Sequence, residues 1–232
     1  MKALRMVLVS HSHKFIFLKT RKTAGTSVEM YLQPFCTVPG HVVTEKTDAL
    51  VSAFGIVGRR LTEASDDDKL PWHNHMRAGK VRRVLGDQIW SAYRKLTVVR
   101  NPFARMVSGF YWANRATSFP GESFGDTRAR FHDFVRTDQL QDDTDIVFIR
   151  DAYVIDDAVR FETLSGDLTN ICAAYGLDPA ATRLPFTKVT ADTRDRHPIA
   201  AYYDTSIADA VRRSMSWVFD RFDYPERPDE AL

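Results

Sequence analysis

The first clear element is Phe15-Ile16-Phe17-Leu18, a continuous apolar run that reads as a strand buried on both faces. A polar, basic turn follows, Lys19-Thr20-Arg21-Lys22-Thr23-Ala24-Gly25. Thr26 or Ser27 can then cap a short helix through Val28 to Leu32, which Pro34 stops. Between Pro39 and Leu70 the pattern weakens, and the Asp66-Asp67-Asp68 run reads as a solvated loop. Val81, Val84, Leu85, Ile89, Trp90 and Tyr93 recur at helical spacing and predict an amphipathic helix broken or bent near Gly86. Leu96-Thr97-Val98-Val99 predicts a second buried strand. Asn101 and Pro102 then supply an N-cap and a first helical residue for a helix through Phe103, Met106, Val107, Phe110 and Tyr111.

Residues Thr117 to Gly125, rich in Ser, Gly and Pro, predict a loop. Ile146–Ile149 and Ala158–Phe161 predict short strands, and a helix from about Thr163 ends at Gly176 as its C-cap. A last helix carries Ile207, Val211, Met215, Val218 and Phe219 on one stripe. Strands alternating with helices imply an α/β fold, with a mostly parallel sheet flanked by helices. Ligands in such folds bind at the carboxyl ends of strands, and two motifs of this chain fall there.

Composition changes the picture little. At 232 residues, 44% apolar and 27% charged, the chain has the make-up of a soluble globular protein, and we expect one domain over residues 1–232. The 32 Lys and Arg nearly cancel the 30 Asp and Glu, which argues against general nucleic-acid or membrane-surface binding. No apolar stretch approaches the ~20 residues of a membrane span, and Met6-Val7-Leu8-Val9 is too short for a signal segment, so a cytoplasmic protein is expected. Cys36 and Cys172 fit no zinc or disulfide spacing and read as buried free thiols.

The first motif is a strand, a basic turn and a helix opening with hydroxyl residues. The helix start offers N–H groups and the positive end of its dipole to an anion, and Lys22, Thr23, Thr26 and Ser27 add charge and donors. An ATP-binding P-loop would need glycines six and one residues before the lysine, where this chain has Ile16 and Arg21. In the second motif Arg100 ends a strand and Ser108 follows eight residues later on the next helix. A guanidinium and a hydroxyl so placed can grip one phosphate from two directions.

Together, Lys22-Thr23-Ala24-Gly25-Thr26-Ser27 and Arg100-Asn101-Pro102-Phe103-x-Arg105-x-x-Ser108 closely resemble the sulfotransferase family. Within it they are similar to the branch of carbohydrate sulfotransferases that includes heparan sulfate 2-O-sulfotransferase and bacterial relatives. Arg160-Phe161-Glu162-x-Leu164, Leu184-Pro185-Phe186, Tyr202-Tyr203-Asp204 and Phe222-x-Tyr224 resemble further signposts of that family. The resemblance implies a P-loop NTPase-like sulfotransferase fold and 3′-phosphoadenosine 5′-phosphosulfate (PAPS) as donor, with no metal. It assigns the 5′-phosphosulfate to the turn of Arg21, Lys22, Thr23, Ala24, Gly25, Thr26 and Ser27, and the 3′-phosphate to Arg100 and Ser108. The acceptor it implies is a hydroxyl of a carbohydrate, glycolipid or related molecule.

A hydroxyl needs a base to become a good nucleophile, and neutral imidazole is the usual group near pH 7. The resemblance places that role on His75, with His73 as the alternative, and gives Lys22 the charge that develops on the leaving phosphate. The chain departs from the family where Lys19-Thr20-Arg21 stands in place of the usual His-x-Pro, so Arg21 either joins the donor site or points to solvent. Two other readings are an ATP-dependent small-molecule kinase, with Ile146–Asp151 as its magnesium strand, and an inactive nucleotide- or glycan-binding protein.

Overall fold

The computed structural model describes residues 7–45, 48–59, 72, 75–115, 123–138, 142–185 and 197–231. The Asp66–Asp68 run, His73, Phe186 and most of the Thr117–Gly125 segment lie outside the described residues. The chain divides into two compact units, Met1–Val98 with Asp143–Thr187 and Val99–Asp142 with Lys188–Leu232.

The first unit is built on a six-stranded sheet in the order β3-β4-β1-β2-β5-β8. Its strands are β1 (Val7–Ser10), β2 (Phe15–Leu18), β3 (Leu50–Val51), β4 (Gly55–Val57), β5 (Arg94–Val99) and β8 (Asp157–Arg160). The helices are α1 (Gly25–Leu32), α2 (Ala78–Leu85), α3 (Asp87–Ala92), α6 (Thr144–Val147) and α7 (Leu164–Tyr175). A separate hairpin pairs β6 (Phe148–Ile149) with β7 (Ala152–Tyr153). The expected α/β architecture, a sheet flanked by helices, is therefore the observed one. The expectation of a mostly parallel sheet holds for the central β2–β5 pair, whereas β1–β2, β1–β4 and β3–β4 are antiparallel, so the sheet is mixed. The reason is connection length: the four residues between β1 and β2 allow only a hairpin, while β2 reaches β5 through a long connection that carries α1, β3, β4, α2 and α3.

Leu8, Phe15, Phe17, Leu96 and Val98 from the sheet close one core with Val28 and Leu32 of α1 and Leu168 and Cys172 of α7. The alternate strand residues Val9, Ile16 and Leu18 are also buried, which explains why β2 reads as an unbroken apolar run. Cys36 and Cys172 are both free and buried, as expected. The amphipathic helix does break at Gly86, whose φ of 82° separates α2 from α3. α7 ends on Gly176 in the left-handed conformation.

In the second unit, α4 (Pro102–Ala113) starts as the sequence predicts: the Asn101 side chain accepts from the Phe103 and Ala104 amides. α5 (Phe124–Arg136) was not expected. Its signal is a capping box in which Ser123 and Asp126 bond each other's amides, followed by Phe131 and Phe134. The last predicted helix is two, α8 (Thr205–Ser214) and α9 (Ser216–Phe222), divided at Met215. Phe103, Phe110, Phe131, Tyr202 and Tyr203 meet edge to face, with centroids 5.1 to 5.7 Å apart. Ile146–Ile149 is only partly strand: Asp143, at φ 68°, opens the helical turn α6, and extended backbone begins at Phe148.

Candidate active site

The turn between β2 and α1 stands at the carboxyl end of β2. Two of its non-glycine residues, Lys22 at φ 62° and Ala24 at φ 60°, adopt the left-handed conformation. Ala24, not Thr26 or Ser27, is the N-cap of α1, and it has no side chain with which to close the helix start. Thr26 and Ser27 lie instead in the first helical turn, where no acidic residue opposes an incoming anion. A left-handed residue leading into right-handed helix turns successive amides toward one side, a concavity suited to an anion. Lys22 sits half-buried on the same bend.

The turn is held from several directions. The Thr20 hydroxyl donates to the Val98 carbonyl at the end of β5 (2.5 Å), so the Thr23 hydroxyl, 2.9 Å away, donates to Thr20. Thr23 is thus committed to shaping the turn. The buried Lys19 ammonium donates to Thr26 Oγ1 (3.0 Å) and to Glu29 Oε2 (2.9 Å). Gly25 is required here, since a Cβ would lie 2.7 Å from Lys19 Cγ. Arg21 does not point to solvent. Its guanidinium pairs with Asp143 Oδ1, and its amide donates to Asp143 Oδ2 at 2.7 Å. Asp143 is fully buried and 122 residues away in sequence, a partner no local pattern reveals.

His75 belongs to the same unit and touches the same turn: its Nδ1 is 2.8 Å from the Lys19 carbonyl oxygen. A carbonyl only accepts, so Nδ1 carries the proton, and in the neutral ring Nε2 keeps the lone pair. Three residues on, α2 begins; with the β6–β7 hairpin it borders a cavity of about 870 Å³, lined in part by Arg77, Lys80, Arg83, Phe148, Ile149 and Arg150.

The second motif lies in the other unit. Arg100 follows β5 directly, half-buried, and Ser108 is half-buried two turns into α4. Arg105 of the same motif is 2% exposed and structural: its guanidinium reaches the Asp142 carbonyl and Met215 Sδ (3.3 Å). Tyr203 steadies the start of α4, its hydroxyl donating to the Phe103 carbonyl at 2.8 Å. Tyr202 bonds the Tyr111 hydroxyl at 2.8 Å, and Asp204 caps α8. These C-terminal signposts are thus framework. Lys22 to Ser27, Arg21 and His75 are together in the first unit, and Arg100 and Ser108 in the second.

Among the described residues no group of three His, Cys, Asp or Glu side chains is placed to share a metal ion, and no helix is long and apolar enough to cross a membrane. Comparison with curated proteins and with solved structures gives no match. A family model does match, and it covers residues 5–169, which include both the Lys22 turn and the Arg100–Ser108 segment. On that match, over more than half of its length, the chain belongs to the sulfotransferase family.

Proposed function

We propose that the chain acts as one functional domain that moves a sulfonyl group from PAPS to a hydroxyl of a carbohydrate, glycolipid or related acceptor. The observation that carries this reading is the bond from His75 Nδ1–H to Lys19 O, which joins a basic imidazole to the first residue of an anion-binding turn. In this reading the amides opening α1 bind the donor's 5′ end with Lys22, Thr26 and Ser27, while Arg21 and Thr23 keep the turn in shape. Arg100 and Ser108 bind the 3′-phosphate. The cavity beside α2 suits the acceptor, since its lining includes Arg77, close behind His75 in the chain.

His75 Nε2 takes the acceptor's proton as the acceptor oxygen forms its bond to sulfur. The bond from sulfur to the bridging oxygen breaks, and its electron pair stays on the 5′-phosphate. Lys22 and the α1 amides meet that charge, an electrostatic contribution prepared before the reaction begins. A positioned general base contributes about 10²–10⁴-fold.

Thermal shift and turnover test the reading together. 3′-Phosphoadenosine 5′-phosphate at ~100 times its Kd stabilises by about 2.7 kcal/mol, roughly 5–10 °C in Tm for a chain of this size. Magnesium is not required, and magnesium-ATP gives no comparable shift. His75→Ala keeps the shift and loses turnover by at least about 100-fold. Stabilisation by magnesium-ATP alone, or full turnover in His75→Ala, overturns the proposal.

A further inference from the structure

Lys19 is a charged residue that the transfer step leaves unused, yet three parts of the site converge on it. Its side chain is 6% exposed and its partner Glu29 fully buried, with Nζ to Oε2 at 2.9 Å. Burying two charges costs several kcal/mol per ion before their attraction returns it, and a well-packed apolar pair does as well for stability. A pair kept here is better accounted for by what it orients. Nζ holds Thr26 in the first turn of α1, the stem runs beneath Gly25, and the carbonyl of the same residue receives the His75 proton.

His75 needs such a partner. It sits at φ 50°, a left-handed conformation that costs a residue with a side chain about 1–3 kcal/mol and persists only where its surroundings impose it. The two residues are 56 apart in sequence, and the residue whose carbonyl faces His75 is the one whose side chain is anchored on α1.

We infer that Lys19 is a positioning residue, whose side chain locks to Glu29 and Thr26 so that its carbonyl holds His75 in the Nδ1–H tautomer beside the anion-binding turn. The inference rests on the proposed role of His75 for its catalytic meaning, but the tautomer can be read without any reaction. One part of the chain thereby sets both the helix start that receives the donor and the nitrogen that takes the proton.

Nitrogen-15 NMR of histidine-labelled protein, with His75 assigned by its loss in His75→Ala, reads the tautomer directly. In wild type, Nδ1 is expected at the protonated, pyrrole-like shift and Nε2 at the bare, pyridine-like shift; the opposite pattern overturns the inference at once. Lys19→Met with Glu29→Met removes both charges and leaves neither ion buried alone. In this variant the His75 nitrogens move toward a tautomer mixture and kcat falls at least tenfold. The Kd for 3′-phosphoadenosine 5′-phosphate rises as well, because Thr26 loses the Nζ that holds it in the first turn of α1. A double variant that keeps the wild-type nitrogen shifts overturns the inference. If instead His75→Ala turns over normally while the tautomer behaves as expected, the base assignment fails and the positioning contact stands.

Discussion

Asp143 offers the sharpest test of how the turn between β2 and α1 is held. Its carboxylate is fully buried and spans two groups of one residue, the Arg21 guanidinium and the Arg21 amide, the latter at 2.7 Å. Arg21 is itself only 11% exposed in its side chain, so little water is present to take over either contact. Removing one partner of such a pair costs about 3–5 kcal/mol, because a buried charge is left uncompensated. Asp143→Ala is therefore expected to lower Tm by roughly 6–20 °C at ~2–4 °C per kcal/mol. Asp143→Asn is milder, at ~2 kcal/mol: Asn tolerates the φ of 68° and can still accept from the amide, but loses the charge. Arg21→Ala alone strands the carboxylate, and adding it to Asp143→Asn costs less than the sum of the two single changes. Thermal melts of the four proteins give the coupling, and calorimetric titration with 3′-phosphoadenosine 5′-phosphate shows whether the turn has lost its shape. Single losses that add to within ~0.5 kcal/mol in the double variant would show that the two residues do not act as a pair. Wild-type nucleotide affinity in Asp143→Asn would show that the pair does not shape the turn.

Gly55→Ala would place a Cβ 2.1 Å from the Val9 carbonyl oxygen and 2.8 Å from that of Cys36, both backbone, so at least ~2 kcal/mol should be lost; an unchanged Tm refutes this. Burial, and then the contact with Cys172 at 3.3 Å, push the Tyr31 hydroxyl from 10.0 up to about 12. The folded state therefore holds this proton more tightly, a stabilisation complete below pH 10 that disappears as pH rises toward 12. Urea unfolding across that range should show the loss, and Tyr31→Phe should flatten it; an equal slope in both proteins sinks the assignment. Arg100→Ala is expected to weaken 3′-phosphoadenosine 5′-phosphate binding by ~1.5–3 kcal/mol, roughly 10–150-fold, measured by the same calorimetry. Undiminished affinity would remove Arg100 from the 3′-phosphate.

What the sequence alone determines is whatever a few neighbouring residues can signal. Asn101-Pro102 announces a helix start because the cap and the first helical residue act on amides two and three positions away. Gly86 and Gly176 announce breaks because their positive φ is a local property of the backbone. The unbroken apolar run of β2 reports burial on both faces, and the order of strand, turn and helix from β2 to α1 is legible in the same way. The capping box at Ser123 is equally local, but it lies inside the Ser-, Gly- and Pro-rich stretch Thr117–Gly125, whose composition reads as a loop.

Only the tertiary structure decides how charges are allotted. Arg21 joins the donor site or points to solvent by sequence; packing gives it Asp143. Thr23 offers a hydroxyl by sequence; the carbonyl of Val98, through Thr20, claims it. Lys19 looks like one more cation in a basic turn, and becomes a buried anchor because Glu29 lies one helical turn into α1. The tautomer of His75 follows from a carbonyl 56 residues away. Hydrogen bonds and ion pairs act over a few ångströms and take whichever partner the fold brings near, so their pairing is settled in space after the local elements have formed.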